Sequence, residues 1–430
     1  MKNRLLKDNI LGSYVPSFFE MYVNTLSDDL TITSLSPKDR VVYFHEYIHF
    51  VQDFSTMIGL NNLYVHSEYI HSAVNRIYKQ GSPFIVPIPI EDNSDLVQLN
   101  KHVSYLINGD VEPIDAFQIK GIQLDQSQIF IKNPYLPKID SYFIETTNGD
   151  YLAFGAIAIM ESMAYLMEQL CAPNDYDRSP EYPYDSAEKV AQFLAPEIAC
   201  DKMKILALCD VSLQTSNPGV FFVEALRNYR AKGWAINKAE DIYDLLYNDL
   251  KMRNIQTKQE QLFIQCFVEK ANQVMDLIKN YIKDIPDVEI YYRWIDNLRN
   301  FAIDWRKNRP YFLLEMASCN DLLKNSQWGE LIHKVGSPLI RNKKENYFKV
   351  AAPTNNGDMD VEFFRAIREI EKLFEFGQKE CTMKNWCLNS PNSTPNELCD
   401  TAPWEKCNEE RLCPYAFLWK HWKLASHKPE

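Results

Sequence analysis

The chain has 430 residues, with 46 Lys+Arg against 58 Asp+Glu, a formal net charge of −12. At 46% apolar and 24% charged residues it has ordinary globular composition, long enough for about two or three domains and for a core that needs no disulfides. The acidic balance excludes a general binder of nucleic acid or anionic membrane, and 13% aromatics with only 13 Gly exclude a low-complexity chain.

In chain order, Met1–Asp8 carries positive charge without an apolar core, so no secretory signal is expected. Residues 17–35 read as short strands through Phe18, Phe19, Tyr22 and Val23, then Leu30 and Ile32. Ser36-Pro37-Lys38-Asp39 reads as a helix start: Ser36 caps, Pro37 suits the first helical position, and Asp39 is the capping-box acceptor. That helix should run to about Met57, with Gly59 punctuating it, and a second should span roughly Leu60 to Lys79. The proline-rich stretch 82–89 reads as extended edge or linker. From 111 to 147 the pattern is β-like, with strands at Gln128–Lys132 and Ile139–Thr147 closed by Asn148-Gly149-Asp150. Leu152–Leu170 reads as helix and Pro173–Pro183 as a turn-rich linker. Residues 185–378 have helical period almost throughout, without a fixed repeat. Residues 381–430 form a distinct cysteine-rich tail, with a loop at Asn389–Pro395.

No stretch reaches the ~18 uncharged apolar residues of a membrane span. The nearest, Tyr151–Leu170, carries Glu161 and Glu168. No membrane partner and no nucleic acid are expected. The expected location is the cytoplasm, where the ten cysteines would be thiols or metal ligands.

The sharpest feature is His45-Glu46-Tyr47-Ile48-His49 on the first predicted helix. Residues four apart lie one turn above each other on one helix face, so both imidazoles can hold one Zn²⁺. Glu46 then stands where it can reach a water on the metal and act as general base. The surrounding Val41, Val42, Tyr43, Phe44, Tyr47, Ile48, Phe50, Val51 and Phe54 make the helix apolar all round, hence buried. Burying two His and a Glu without partners would cost several kcal/mol, roughly the cost a bound metal offsets. The bland alternative is a core helix whose histidines hydrogen-bond to backbone.

At these residues the sequence resembles the zincin metallopeptidases, over the motif helix and a third ligand only. The resemblance implies that His45 and His49 are zinc ligands and that Glu46 is the catalytic base. The later His of the metzincin pattern is missing, since Gln52 and Gly59 fall at the wrong offsets. A glutamate third ligand, as in the gluzincin branch, is the expectation. Glu161 is the central carboxylate of the apolar stretch Phe154–Glu168 and needs a cation or a proton. Its Glu-x-x-Ala setting also looks like the third-ligand helix of several zincins. Glu68 is the rival, separated from His49 by 18 intervening residues, a spacing known from aminopeptidase-like gluzincins. Its setting lacks the Asn-Glu pair usual there, and no Gly-Ala-Met-Glu-Asn loop lies upstream. His71 is a further candidate. Glu168, on the same face as Glu161, is either a carboxylate that orients a ligand histidine or a plain surface group. Tyr165, one turn after Glu161, is the candidate donor to an oxyanion, with core packing as its alternative.

The pairs Glu46/His49 and Glu68/His71 also repeat Glu-x-x-His, half of a di-iron carboxylate signature. In the tail, Cys381, Cys387, Cys399, Cys407 and Cys413, followed by Pro414 and later His421, contain no C-x-x-C. They are a candidate second site, for a structural Zn²⁺ or an iron–sulfur cluster, with disulfides or free thiols as the alternatives. Cys171, Cys200, Cys209, Cys266 and Cys319 read as core residues. The tail aromatics Tyr415, Phe417, Trp419 and Trp422 are expected to pack it onto the helices.

The expected fold is therefore α+β and predominantly helical, with a small β region beside the motif helix, a large helical region and the tail. The expected units are a peptidase domain at 1–175 with a β-rich insertion near 82–150, a helical domain at 176–380 and the tail at 381–430. The expected function is zinc-dependent cleavage of a restricted protein or peptide substrate. A β segment at 17–35 or 111–147 would offer an edge for an extended substrate. A cytosolic peptidase needs restraint, so a regulatory protein partner is expected, as for stress-response, toxin or phage-defence proteases. The different-class alternative is a helical interaction scaffold with structural metal, or a di-iron redox protein.

Overall fold

A computed structural model describes residues 12–15, 19–88, 96–128, 138–248, 250–253, 260–285, 289–344, 347–348, 362–388 and 394–430. The readings of Met1–Asp8, Phe18, the strand end at 129–132 and the loop residues Asn389–Ser393 lie outside the described residues. What is described is predominantly helical with small sheets.

Helix α1 spans Pro37–Ser55, with Ser36 as its cap accepting from the Asp39 amide at 3.1 Å. The Asp39 carboxylate does not close a capping box; it accepts from the Thr25 hydroxyl at 2.9 Å and so pins the preceding loop. The helix is buried on all sides from Tyr43 to Ser55, as its apolar sequence requires. Thr56 ends α1 and starts α2 (Met57–Gln80): its hydroxyl donates to Gln52 O and accepts from Gly59 N. Gly59 therefore does not punctuate the helix. It sits in the first turn of α2, where a Cβ would stand 2.3 Å from Gln52 O, so only glycine lets the two helices meet this closely.

Strand β1 (Gly12–Val15) pairs antiparallel with β2 (Glu20–Val23), and β2 pairs parallel with Leu339–Asn342. The second predicted strand, through Leu30 and Ile32, is irregular chain. Arg40 in α1 takes the carbonyls of Ile32 and Leu35 at 2.9 Å each, which ties this segment to the helix instead of to a sheet. With partners on both sides, β2 offers no free edge.

The insertion near 82–150 is not uniformly β, because it contains helix α3 (Leu96–Asn108). After it, β3 (Ile119–Gln128), β4 (Lys138–Thr146) and β5 (Tyr151–Phe154) form an antiparallel meander. The Asn148-Gly149-Asp150 turn joins β4 to β5, with Gly149 at φ 88°. The segment predicted as one helix from Leu152 thus begins as a strand. Gly155 breaks it, and α4 (Ala156–Cys171) follows.

Helix α4 packs against α1 and against the helix Lys202–Leu213, while α1 also packs on Glu289–Asn308. Inside the region read as helical, short strands pair at Lys251–Arg253 with Glu260–Leu262 and at Leu339–Asn342 with Tyr347–Phe348. Among the described residues, buried apolar side chains form one cluster from Phe19 to Leu424 that runs across the expected boundaries near 175 and 380. The tail joins this core through Trp419, fully buried and packed against Tyr415, Phe374, Trp404 and Phe84. Among the described residues no helix is long and apolar enough to cross a membrane.

Candidate metal centre

The centre is built where α1 crosses α4. His45 and His49 are one turn apart on α1, and their rings meet edge to face at 4.8 Å. Glu161 projects from the second turn of α4 and completes the set. Its Oε2 lies 3.2 Å from His45 Nε2 and 3.3 Å from His49 Nε2, and the two Nε2 atoms are 3.1 Å apart. Among the described residues, this is the group whose three donor atoms all lie within 4.8 Å of one another.

The far side of each imidazole is fixed. His45 Nδ1 donates to Glu168 Oε1, a carboxylate that can only accept when ionised. Gln52 Nε2 donates to Met160 O at 3.0 Å, which turns its oxygen to His49 Nδ1 at 2.8 Å. Both histidines therefore hold their proton on Nδ1 and aim the Nε2 lone pair inward, the tautomer a metal needs. Three acceptor atoms then face one another at hydrogen-bond distance. A divalent cation relieves that repulsion at all three at once, and the donor set, two imidazole nitrogens and a carboxylate oxygen, suits zinc.

With no cation in place, protons answer that repulsion instead. Burial works against the charge on His45, but Glu168 and Glu161 outweigh it and raise its affinity for a proton well above the ordinary value. Glu161 responds in reverse: burial pushes its carboxyl up, yet the charge and hydrogen bonds of both imidazoles hold it below the usual carboxylate range. Glu46 is buried beside them, and desolvation pushes its carboxyl up to about 7 against the pull of the two histidines. Three carboxylates around two imidazoles make a centre that attracts a cation. Access is through Glu161, whose side chain is 24% exposed while both histidines are 9% exposed.

Of the rival ligands, the structure brings Glu161 to the histidines and leaves Glu68 elsewhere. Glu68 lies on α2, half-buried, where its charge acts on Tyr64, His71 and Lys270. Among the described residues, Glu68 and His71 form no close group of metal-binding donors with Glu46 and His49. Glu168 is no surface group; it is buried and holds His45. Tyr165 does not turn its hydroxyl to the centre. It accepts from the Ser179 amide at 3.4 Å, and its ring packs on Tyr176 and Tyr184. The Tyr184 ring lies 5.8 Å from that of His45, and the nearby Glu161 charge, with burial, raises its hydroxyl well above the ordinary value.

Sequence reasoning missed Gln52 and Tyr184. Gln52 carried a readable signal, because it sits three residues after His49 on the same helix face. Tyr184 carried none, since its place depends on how the short helix Glu181–Tyr184 folds against α4. Comparison with known proteins finds no matching family, no similar curated protein and no similar solved structure.

Proposed function

We propose that the chain is a zinc-dependent peptidase of zincin-like design, with His45, His49 and Glu161 as the ligands and Glu46 as general base. The observation that carries this reading is the meeting of those three donors across two helices, with Glu46 buried on the same turn as His45. Bound zinc would supply Lewis-acid polarisation of a carbonyl and a lowered water pKa. Glu46 takes the proton of the attacking water and passes a proton to the leaving amine. Tyr184 stands beside Glu161 and His45 and donates to the developing oxyanion. Glu168 and Gln52 keep both imidazoles in register.

The substrate is a restricted protein or peptide, and a regulatory protein partner controls access, in the manner of stress, toxin or phage-defence proteases. A metal centre that only staples a helical scaffold is the competing reading. The test is zinc content and cleavage of a peptide library on the full chain. Glu161→Ala should lose the zinc that His45→Ala/His49→Ala also loses, whereas Glu68→Ala should keep it. Glu46→Gln should keep zinc and lose cleavage by ~10²-fold or more. Equal cleavage by Glu46→Gln and wild type, or zinc unchanged in Glu161→Ala, would overturn the reading.

A further inference from the structure

A second constellation lies in the tail, away from α1 and α4. Cys381, Cys387, Cys399 and Cys413 line a single small cavity together with Lys406. They come from four separate pieces of chain, which is why no C-x-x-C betrays them. Cys387 and Cys399 are buried, and Cys381 and Cys413 half-buried. The Cys381 amide donates to Cys399 O at 2.7 Å, which clamps the first and third pieces together. Cys407, the fifth tail cysteine, is buried but does not line the cavity. Lys420, Lys428 and Glu405 are the charges that act on it. His421 does not line the cavity either; its ring stacks on Phe417.

Backbone amides face two of the four sulfurs. The Met383 amide is turned on Cys381, and the Tyr415 and Ala416 amides on Cys413. Cys413 occupies the N-cap position of the helix Pro414–His421, and Pro414, which has no N–H, leaves those next two amides as the first donors. Lys406 is buried, bound to Thr394 O and Glu409, and its charge favours the thiolate form of Cys413. Burial pushes the Cys381 and Cys413 thiols up. The cavity is about 10 Å³, room for one water-sized body and too small for a four-iron cluster.

We propose that Cys381, Cys387, Cys399 and Cys413 together bind one thiophilic divalent ion, zinc by preference, which staples the tail to the helical core. Four sulfur donors in a closed, buried setting are the signature of a structural zinc site, whereas the centre at α1 and α4 uses nitrogen and oxygen. No three of the four sulfurs lie all within 4.8 Å of one another, so binding would draw the loops inward. The staple has a physical reason: the tail's own helices are only four to eight residues long and build little core.

The test uses the full chain loaded with zinc, then with Co²⁺ as a spectroscopic probe. His45→Ala/His49→Ala should retain one tightly held zinc and, with cobalt, intense near-ultraviolet thiolate charge transfer with tetrahedral d–d bands. Cys387→Ser/Cys399→Ser should lose that absorption and one zinc while retaining the metal at His45 and His49. Cys407→Ser should match the wild type. If the cysteine variant fails to fold, organomercurial titration of the wild type decides: zinc released in step with four thiols supports the site. Thiolate absorption missing from cobalt-loaded protein, disulfides among the four cysteines, or an iron–sulfur spectrum would each overturn the proposal.

Discussion

Glu168 shows what a single carboxylate decides. It lies seven residues after Glu161 and would be an ordinary helix-face acid but for His45, whose Nδ1 proton it holds. Glu168→Ala frees that ring and leaves Nδ1 to choose its tautomer. Zinc affinity is expected to fall by ~10–100-fold with the ligands themselves intact, measured by competition with a chromophoric chelator. An unchanged affinity would mean that packing alone orients the ring. The two histidines were readable at this scale because the helical period is local. Glu161 was readable as a lone acid in an apolar stretch. Gln52 and Tyr184 were not read, since neither residue type announces a role until its neighbours are known.

At the scale of elements, the position of α1 depends on a buried ion pair. Arg306, from the helix Glu289–Asn308, meets Asp210, from the helix Lys202–Leu213, with Nη1 at 2.8 Å and Nη2 at 2.9 Å from the two carboxylate oxygens. Its Nε also donates to Ser55 O at 2.6 Å, the last residue of α1. Both side chains are fully buried. Arg306→Met leaves Asp210 uncompensated and should cost ~3–5 kcal/mol in denaturant unfolding. Adding Asp210→Leu should recover part of that loss, which a merely local packing defect would not show. A second element-scale prediction concerns the helix Glu362–Phe376. Burial pushes Glu369 up, but Arg365 and Lys372 outweigh it and hold its carboxyl at about 2, against an ordinary 4.5. Glu371 is likewise held at about 2, burial being overcome chiefly by Arg368. A depressed carboxylate contributes stability fully above the unfolded value, and that contribution is lost as pH falls toward the folded one. The stability from this pair should therefore fade between about pH 4.5 and about pH 2. Thermal melts should show wild type losing more over that window than Glu369→Gln. They are best run in the His45→Ala/His49→Ala background, so that metal loss at the first centre plays no part.

For the whole molecule, the buried apolar side chains of the described residues run in one cluster across the expected boundaries. Phe50 of α1 stacks on Trp294, and Trp294 Nε1 donates to Val335 O, more than two hundred residues beyond the motif helix. A fragment ending at 175 would expose the faces of α1 and α4 that these helices cover. It is expected to lack cooperative unfolding and to lose its zinc, as judged by near-ultraviolet circular dichroism and metal content. A folded, zinc-bound fragment would instead show that the expected domain boundary is real. By itself, the sequence determined the motif helix, its burial and the predominantly helical character, and offered Glu161, Glu68 and His71 as partners for the two histidines, because each follows from local periodicity and composition. Only the tertiary structure decided between Glu161 and Glu68, placed the Tyr184 ring beside that of His45, paired β2 with Leu339–Asn342 and gathered four of the five tail cysteines. Those outcomes depend on contacts between residues far apart in the chain. Spacing along a sequence carries no distance once helices turn and cross, so such contacts emerge only when the core has formed.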